Sequence, residues 1–347
     1  MKIIKKIILI LVSLLVVLFL GTFIYINIKL PDLPLLTNKI IDNALAKGAR
    51  PIEGKQGYAH NDGTKIWYNE ISPKDSIKGN ILLIMGIAND ALAWPDYFIK
   101  PLVDSGYRVI RFDNRGTGMS DWNINWTEEN AYSLDDMADD VIAILDTLQI
   151  DKVHVIGASL GGMIAQTMSI NYPHRVLTLT SMMSTGNIMD KELPPINQGK
   201  IFELLLAHVK YGLVKSETNQ IKLQLTARLL LMGDTKYEID VEDIANSVLY
   251  NLRNRRGYNP DASKQHIAAT LLSGSRYEEF ATLEIPTLVI HGTTDPLIDF
   301  KHGEKTHTII PNSKNIWVEG MGHDIPPMFV DIIILGIIEH IENYEDE

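Results

Sequence analysis

The 347-residue chain contains no cysteine. That excludes disulfides, thiolate nucleophiles and cysteine-ligated metals, and it leaves the redox compartment open. Cations are the second shortage: 32 Lys and Arg stand against 43 Asp and Glu, for a formal net charge of −11. No Lys/Arg cluster overrides that balance, which argues against nucleic acid or another polyanion as partner. Internal repeats and low-complexity segments are also missing. The stretch Asp113-Asn114-Arg115-Gly116-Thr117-Gly118-Met119-Ser120 lacks the Gly-Lys-Ser/Thr ending of a phosphate loop. It reads as a tight polar turn with an internal Asp–Arg pairing. The acidic group Asp135, Asp136, Asp139 and Asp140 has no histidine nearby to complete a metal site. It reads as a solvated helix N-terminal face, and neither a metal nor a cofactor is expected.

What is present starts with an apolar run. Residues 7–28 carry no charge and follow Lys2, Lys5 and Lys6. That length suffices for a membrane-spanning helix. Bulky Phe23, Ile24 and Tyr25 suit signal cleavage poorly, so the expectation is an uncleaved anchor, with a cleaved signal and secretion as the alternative. The preceding lysines favour a cytoplasmic N-terminus and hence an extracytoplasmic placement for the bulk of the protein. Residues 31–56, with Pro31, Pro34 and Pro51, read as a stalk or linker holding one short helix.

From Gly57 onward the chain alternates strand and helix. Asn61-Asp62-Gly63 is a turn signal between two strands, so a hairpin is expected there. Ile81-Leu82-Leu83-Ile84-Met85 is an unbroken apolar run typical of a strand buried on both faces. Further strands are expected at residues 107–112, 153–156 and 176–182, with helices at 95–105, 133–148 and after residue 159. From residue 184 to 280 only helical patterns appear, at 201–211, 217–232, 241–253 and 262–272. Strand character returns at residues 285–290 and 315–318, and the acidic end from Glu342 reads as a frayed tail. This rhythm predicts a mostly parallel sheet covered on both faces, interrupted by a helical cap. The implied division is 1–30 anchor, 31–56 linker, 57–183 core, 184–280 cap and 281–347 core.

The pentapeptide Gly157-Ala158-Ser159-Leu160-Gly161 sits where a buried strand meets a helix. A corner that sharp strains its central residue and admits only small neighbours two positions away. Gly157 and Gly161 stand at those positions. Ser159 would then project from the tip of the sheet at a helix N-terminus. A serine nucleophile needs a base, and the base needs a group that fixes its tautomer. His323, within Gly320-Met321-Gly322-His323, follows the last strand. Asp295, within His291-Gly292-Thr293-Thr294-Asp295, follows the strand before it. Asp299 and Asp324 are the rival acids, and His291 reads as structural. For the oxyanion, Leu160 offers one backbone amide, and the second is expected from Ile87, with Ala88 as its rival.

In combination and order these strings resemble the α/β-hydrolase superfamily. They are Leu83-Ile84-Met85-Gly86-Ile87 with Trp94-Pro95, Arg111 through Ser120, Gly157-Ala158-Ser159-Leu160-Gly161-Gly162, His291-Gly292 to Asp295, and Gly322-His323. Within it the chain is similar to the capped esterases that include the aclacinomycin methylesterases. One departure is Met85-Gly86, where the family usually has His-Gly. The resemblance implies an α/β-hydrolase fold and a triad of Ser159, Asp295 and His323. It does not fix a substrate. The expected activity is hydrolysis of small to medium uncharged esters through an acyl-enzyme. Lipase, thioesterase, peptidase, C–C hydrolase or haloperoxidase activity, or a binding protein on the same scaffold, are the alternatives.

Overall fold

The computed structural model describes residues 2–345, and an eight-stranded sheet lies at its centre among those residues. The strands are β1 (Lys55–Asn61), β2 (Thr64–Ile71), β3 (Gly79–Ile84), β4 (Tyr107–Phe112), β5 (Val153–Ala158), β6 (Val176–Met182), β7 (Thr287–Gly292) and β8 (Lys314–Val318). They lie in the order β1-β2-β4-β3-β5-β6-β7-β8. Strand β2 is antiparallel to both neighbours, and all pairings between β4 and β8 are parallel. The hairpin closes through Asp62 and Gly63, both at positive φ (43° and 79°), as a two-residue turn matched to strand twist requires.

Strand β3 shows why an unbroken apolar run belongs at the centre. Ile81 and Leu83 join Phe98, Ile99 and Leu102 of the helix Asp96–Asp104, with Ile333 and Ile337 of the helix Pro327–Glu345. Leu82 and Ile84 face the other way. They join Met137, Val141 and Ile144 of the helix Leu134–Thr147, with Ile164 and Met168 of the helix Leu160–Asn171. Each such side chain contributes on the order of 2 kcal/mol by leaving water. The helix Leu134–Thr147 begins at a capping box, in which Ser133 Oγ accepts from the Asp136 amide and the Asp136 carboxylate accepts from the Ser133 amide. Between β6 and β7 lie the helices Gln198–Ala207, Glu217–Leu231, Val241–Asn254 and Ala262–Ser273. This insertion is called the cap below.

Several expectations are corrected. Among the described residues no helix is long and apolar enough to cross a membrane. That overturns the anchor, the membrane partner and the extracytoplasmic placement. The N-terminal run is part of a helix Lys2–Lys29 whose end is seated on protein: Ile26 and Leu30 are buried against Leu206, Ala207, Leu223 and Leu230 of the cap. The segment read as a stalk is docked too. Its helix Thr37–Lys47 buries Ile41 and Ala44 against Ile221, Leu225, Val248 and Leu249. The acidic end is helical through Glu345, while Asp346 and Glu347 lie outside the described residues.

The polar turn and the acidic face also pair differently. Arg115 does not bind Asp113. Its guanidinium grips Asp140 with Nε at 2.6 Å and Nη2 at 2.7 Å, and Asn61 Nδ2 donates to the same carboxylate at 2.9 Å. Asp140 is therefore 1% exposed, not solvated. A charge that buried needs a charged partner, and a bidentate arginine is the geometry that supplies one.

Candidate active site

The corner between β5 and the helix Leu160–Asn171 places Ser159 at φ 56°, ψ −121°. Backbone strain of this kind costs about 1–3 kcal/mol and persists only where the surroundings enforce it. Here they do. A Cβ on Gly157 would lie 2.1 Å from the Gly161 carbonyl oxygen, and one on Gly161 would lie 2.0 Å from that of Ile84. The Ser159 amide donates to the Met182 carbonyl at 2.9 Å, and Ser184 Oγ donates to the Ser159 carbonyl at 2.7 Å. The corner is clamped from both sides of its own peptide.

The structure brings Ser159, His323 and Asp295 into one hydrogen-bonded line. His323 Nε2 lies 3.0 Å from Ser159 Oγ, and His323 Nδ1 lies 2.7 Å from Asp295 Oδ2. Asp295 Oδ1 accepts from the amides of Leu297 (2.8 Å) and Ile298 (2.9 Å), which fixes the carboxylate plane. Its side chain is fully buried. Burial alone would raise its pKa, but the adjacent imidazoles of His323 and His291 and their hydrogen bonds outweigh that. The carboxyl is held well below the ordinary carboxylate range. Such an Asp forces the proton of His323 onto Nδ1 and leaves Nε2 free to accept from the serine.

The rivals are engaged elsewhere. Asp299 Oδ1 accepts from the Lys301 amide at 3.0 Å at the start of the helix Lys301–Ile309. Asp324 accepts from the Tyr237 hydroxyl of the cap. His291 Nε2 lies 3.0 Å from the Ile298 carbonyl and 3.3 Å from Asp295 Oδ2, so it braces the acid's loop.

Gly86 abuts the serine: a Cβ there would fall 3.2 Å from Ser159 Cβ. The chain then turns, closed by the Asn89 amide on the Gly86 carbonyl at 3.3 Å, with Ala88 at φ 56°. The Ala88 amide donates to His266 Nδ1 at 3.1 Å, so that amide is taken. Leu160 is the first residue of its helix, where amides have no helical acceptor. Two open grooves, of about 480 and 740 Å³, flank Trp122 and Trp126, and Ser159 lines neither. Among the described residues there is no group of His, Asp and Glu arranged to hold a metal ion.

Comparison with known proteins bears on this geometry. The family described as alpha/beta hydrolase fold matches residues 79–326. The chain belongs to the alpha/beta hydrolase family. Among its relatives are two rhodomycin D methylesterases. DnrP of Streptomyces peucetius is 28% identical over 303 residues, covering 81% of this chain and 96% of the relative. DauP of Streptomyces sp. (strain C5) is 27% identical over 306 residues, covering 80% and 95%. Of solved structures, the meta-cleavage product hydrolase CumD from Pseudomonas fluorescens IP01 superposes with a TM-score of 0.60 at 22% identity. It covers 84% of this chain and 97% of its own. At that identity the likeness speaks for the fold alone.

In this alpha/beta hydrolase the cap supplies groups that sequence reasoning missed. The Leu231 carbonyl accepts from the His323 amide at 2.9 Å. Arg255, its side chain 2% exposed, pairs with Asp113 and lies 3.3 Å from Asp90 Oδ1. His266 holds the Gly86–Asn89 turn. All three sit in the cap, outside the strings that mark the family, and their partners His323, Asp113 and Ala88 lie 92 to 178 residues away. No local signal points to them.

Proposed function

We infer that this alpha/beta hydrolase is a carboxylic ester hydrolase that works through an acyl-enzyme on Ser159. The observation that carries the reading is the continuous line Ser159–His323–Asp295 at 3.0 and 2.7 Å. Ser159 Oγ attacks the ester carbonyl carbon while His323 Nε2 takes its proton. Asp295 keeps the imidazole oriented and stabilises the imidazolium. The carbonyl oxygen becomes an oxyanion, received by the amides of Leu160 and Ile87. Collapse of the adduct breaks the bond to the alkoxy oxygen, and His323 returns the proton to the departing alcohol. Water, deprotonated by the same imidazole, then attacks the acyl-enzyme and releases the acid.

The relatives are named for cleaving a methyl ester, which supports a small alcohol as leaving group. The buried ionic fastening of the cap supports an acyl pocket limited by volume, suited to small or medium uncharged esters. A fluorophosphonate probe followed by peptide mapping should mark Ser159. A panel of methyl, short-chain, long-chain and peptide substrates should give its highest kcat/KM on short or methyl esters. Absence of labelling at Ser159 would sink the esterase reading. A maximum on emulsified long-chain esters would make the enzyme a lipase.

A further inference from the structure

His266 lies on the cap helix Ala262–Ser273 and is fully buried. Both of its ring nitrogens are engaged by core backbone. Nδ1 is 3.1 Å from the Ala88 amide nitrogen, and Nε2 is 2.8 Å from the Arg115 carbonyl oxygen. An amide can only donate and a carbonyl can only accept, so the ring must be neutral with its proton on Nε2. Burial favours that state and pushes its pKa down to about 4, with the nearby Arg115 guanidinium acting in the same direction. The Tyr132 ring meets it edge-on at 6.4 Å.

The amide it grips belongs to a strained residue. Ala88, at φ 56°, occupies the left-handed region that favours glycine. It is the third residue of a turn whose first peptide leaves Gly86, the residue packed on Ser159. Asn89 braces the same turn, its Nδ2 donating to the Ile87 carbonyl at 3.2 Å. An alanine has no intrinsic reason to stay in this conformation. A hydrogen bond from the cap supplies one.

We propose that His266 is a positioning residue: from the cap, it holds Ala88 in the left-handed conformation and so aims the Ile87 amide at the oxyanion. The cap thus takes part in building the oxyanion hole besides covering the site. The inference rests on the esterase reading of Ser159.

The two ring nitrogens can be separated by substitution. Asn places its amide oxygen near the position of Nδ1, so His266→Asn keeps an acceptor for Ala88 and gives up Arg115. Gln places its amide nitrogen near Nε2, so His266→Gln keeps the Arg115 bond and gives up Ala88. Steady-state hydrolysis of p-nitrophenyl acetate, the rate of Ser159 phosphonylation and the thermal midpoint are measured on the full chain for wild type, both variants and His266→Ala. Loss of an oxyanion donor lowers kcat about 10²–10³-fold. His266→Ala and His266→Gln should therefore lose about tenfold to a hundredfold in kcat and phosphonylation rate, with KM within a few fold. His266→Asn should recover most of that loss even if its midpoint is no higher than that of the Gln variant. If kcat follows the midpoint across the series, or Asn and Gln are equally impaired, His266 only fastens the cap and the proposal fails. If Ala does not fold, the Asn–Gln contrast still decides. A wild type that neither hydrolyses the ester nor labels at Ser159 overturns the esterase reading, and this proposal with it.

Discussion

The two sides of the site are held by different means. On the serine side, Ser159 alone separates a strand from a helix, and two glycines without Cβ atoms make the corner possible. The corner itself lies within Gly157 to Gly161, packed on β3 and clamped by Met182 and Ser184 at the end of β6. On the other side, His266 grips the Gly86–Asn89 turn from the cap, Arg255 pairs with Asp90 just after it, and the Leu231 carbonyl holds the His323 loop. The nucleophile is a local product of the chain, whereas the groups that surround it are assembled across the fold. One side should therefore fail by chemistry when altered, and the other by loss of geometry.

The sharpest test of the local side is Ser159→Ala. Fold and midpoint should hold, while turnover drops by about 10⁶-fold, the scale seen when a triad nucleophile is removed. Residual labelling at the wild-type rate would move the nucleophile elsewhere. Asp295→Asn comes next, with an expected loss of about 10⁴-fold through the wrong His323 tautomer. Asp299→Asn serves as its control, because that carboxylate bonds only the Lys301 amide at 3.0 Å among the described residues. A larger loss in the control than in Asp295→Asn would reassign the acid.

The cap side is tested by stability. Arg255→Met strips a buried pair of carboxylates, Asp90 and Asp113, of their cation. Removing one partner from such a pair costs about 3–5 kcal/mol, because the charge left behind stays buried. Urea unfolding measures it. Arg253→Met, two residues earlier, removes a solvent-facing partner of Glu217 and should leave the transition nearly unmoved. Equal effects from the two would show that the cap is not fastened through Arg255.

The smallest effect is on pH. Burial pushes His154, His266 and His340 down to about 4 from 6.5. The charges facing them act the same way: Arg115 on His266, His340 on His154, and Lys314 on His340. A histidine that protonates less readily when folded contributes its full stability above pH 6.5. That contribution is lost progressively as pH falls from there toward 4. Denaturation series between pH 7 and 4.5 should show the decline, and His266→Asn should make it shallower by the cap's share. A flat profile would place these rings in a more solvated setting.

Much of this molecule is legible in its sequence, and the division follows a physical line. The eight strands and the main cap helices were expected within a few residues, because a period of two or 3.6 and the turn residues between are local properties. The helix Lys301–Ile309 and most of Pro327–Glu345 were not anticipated. The N-terminal run was misjudged for the opposite reason. Its apolarity was real, but Ile26 and Leu30 find protein partners in the cap that hydropathy alone does not show. Asp113 and Arg115, neighbours in sequence, each chose a distant partner, Arg255 and Asp140, because neither could be buried unpaired.

By itself, then, the sequence determined the corner at Ser159, the sheet beneath it and the order in which Ser159, Asp295 and His323 reach one edge. Only the tertiary structure decided which acid meets His323, which amide beside Gly86 is already occupied, and what the cap holds. The reason is distance along the chain. A strained corner or an amphipathic period is written in adjacent residues, whereas a hydrogen bond spanning 178 positions, like that of Ala88 with His266, exists only once the layers have packed.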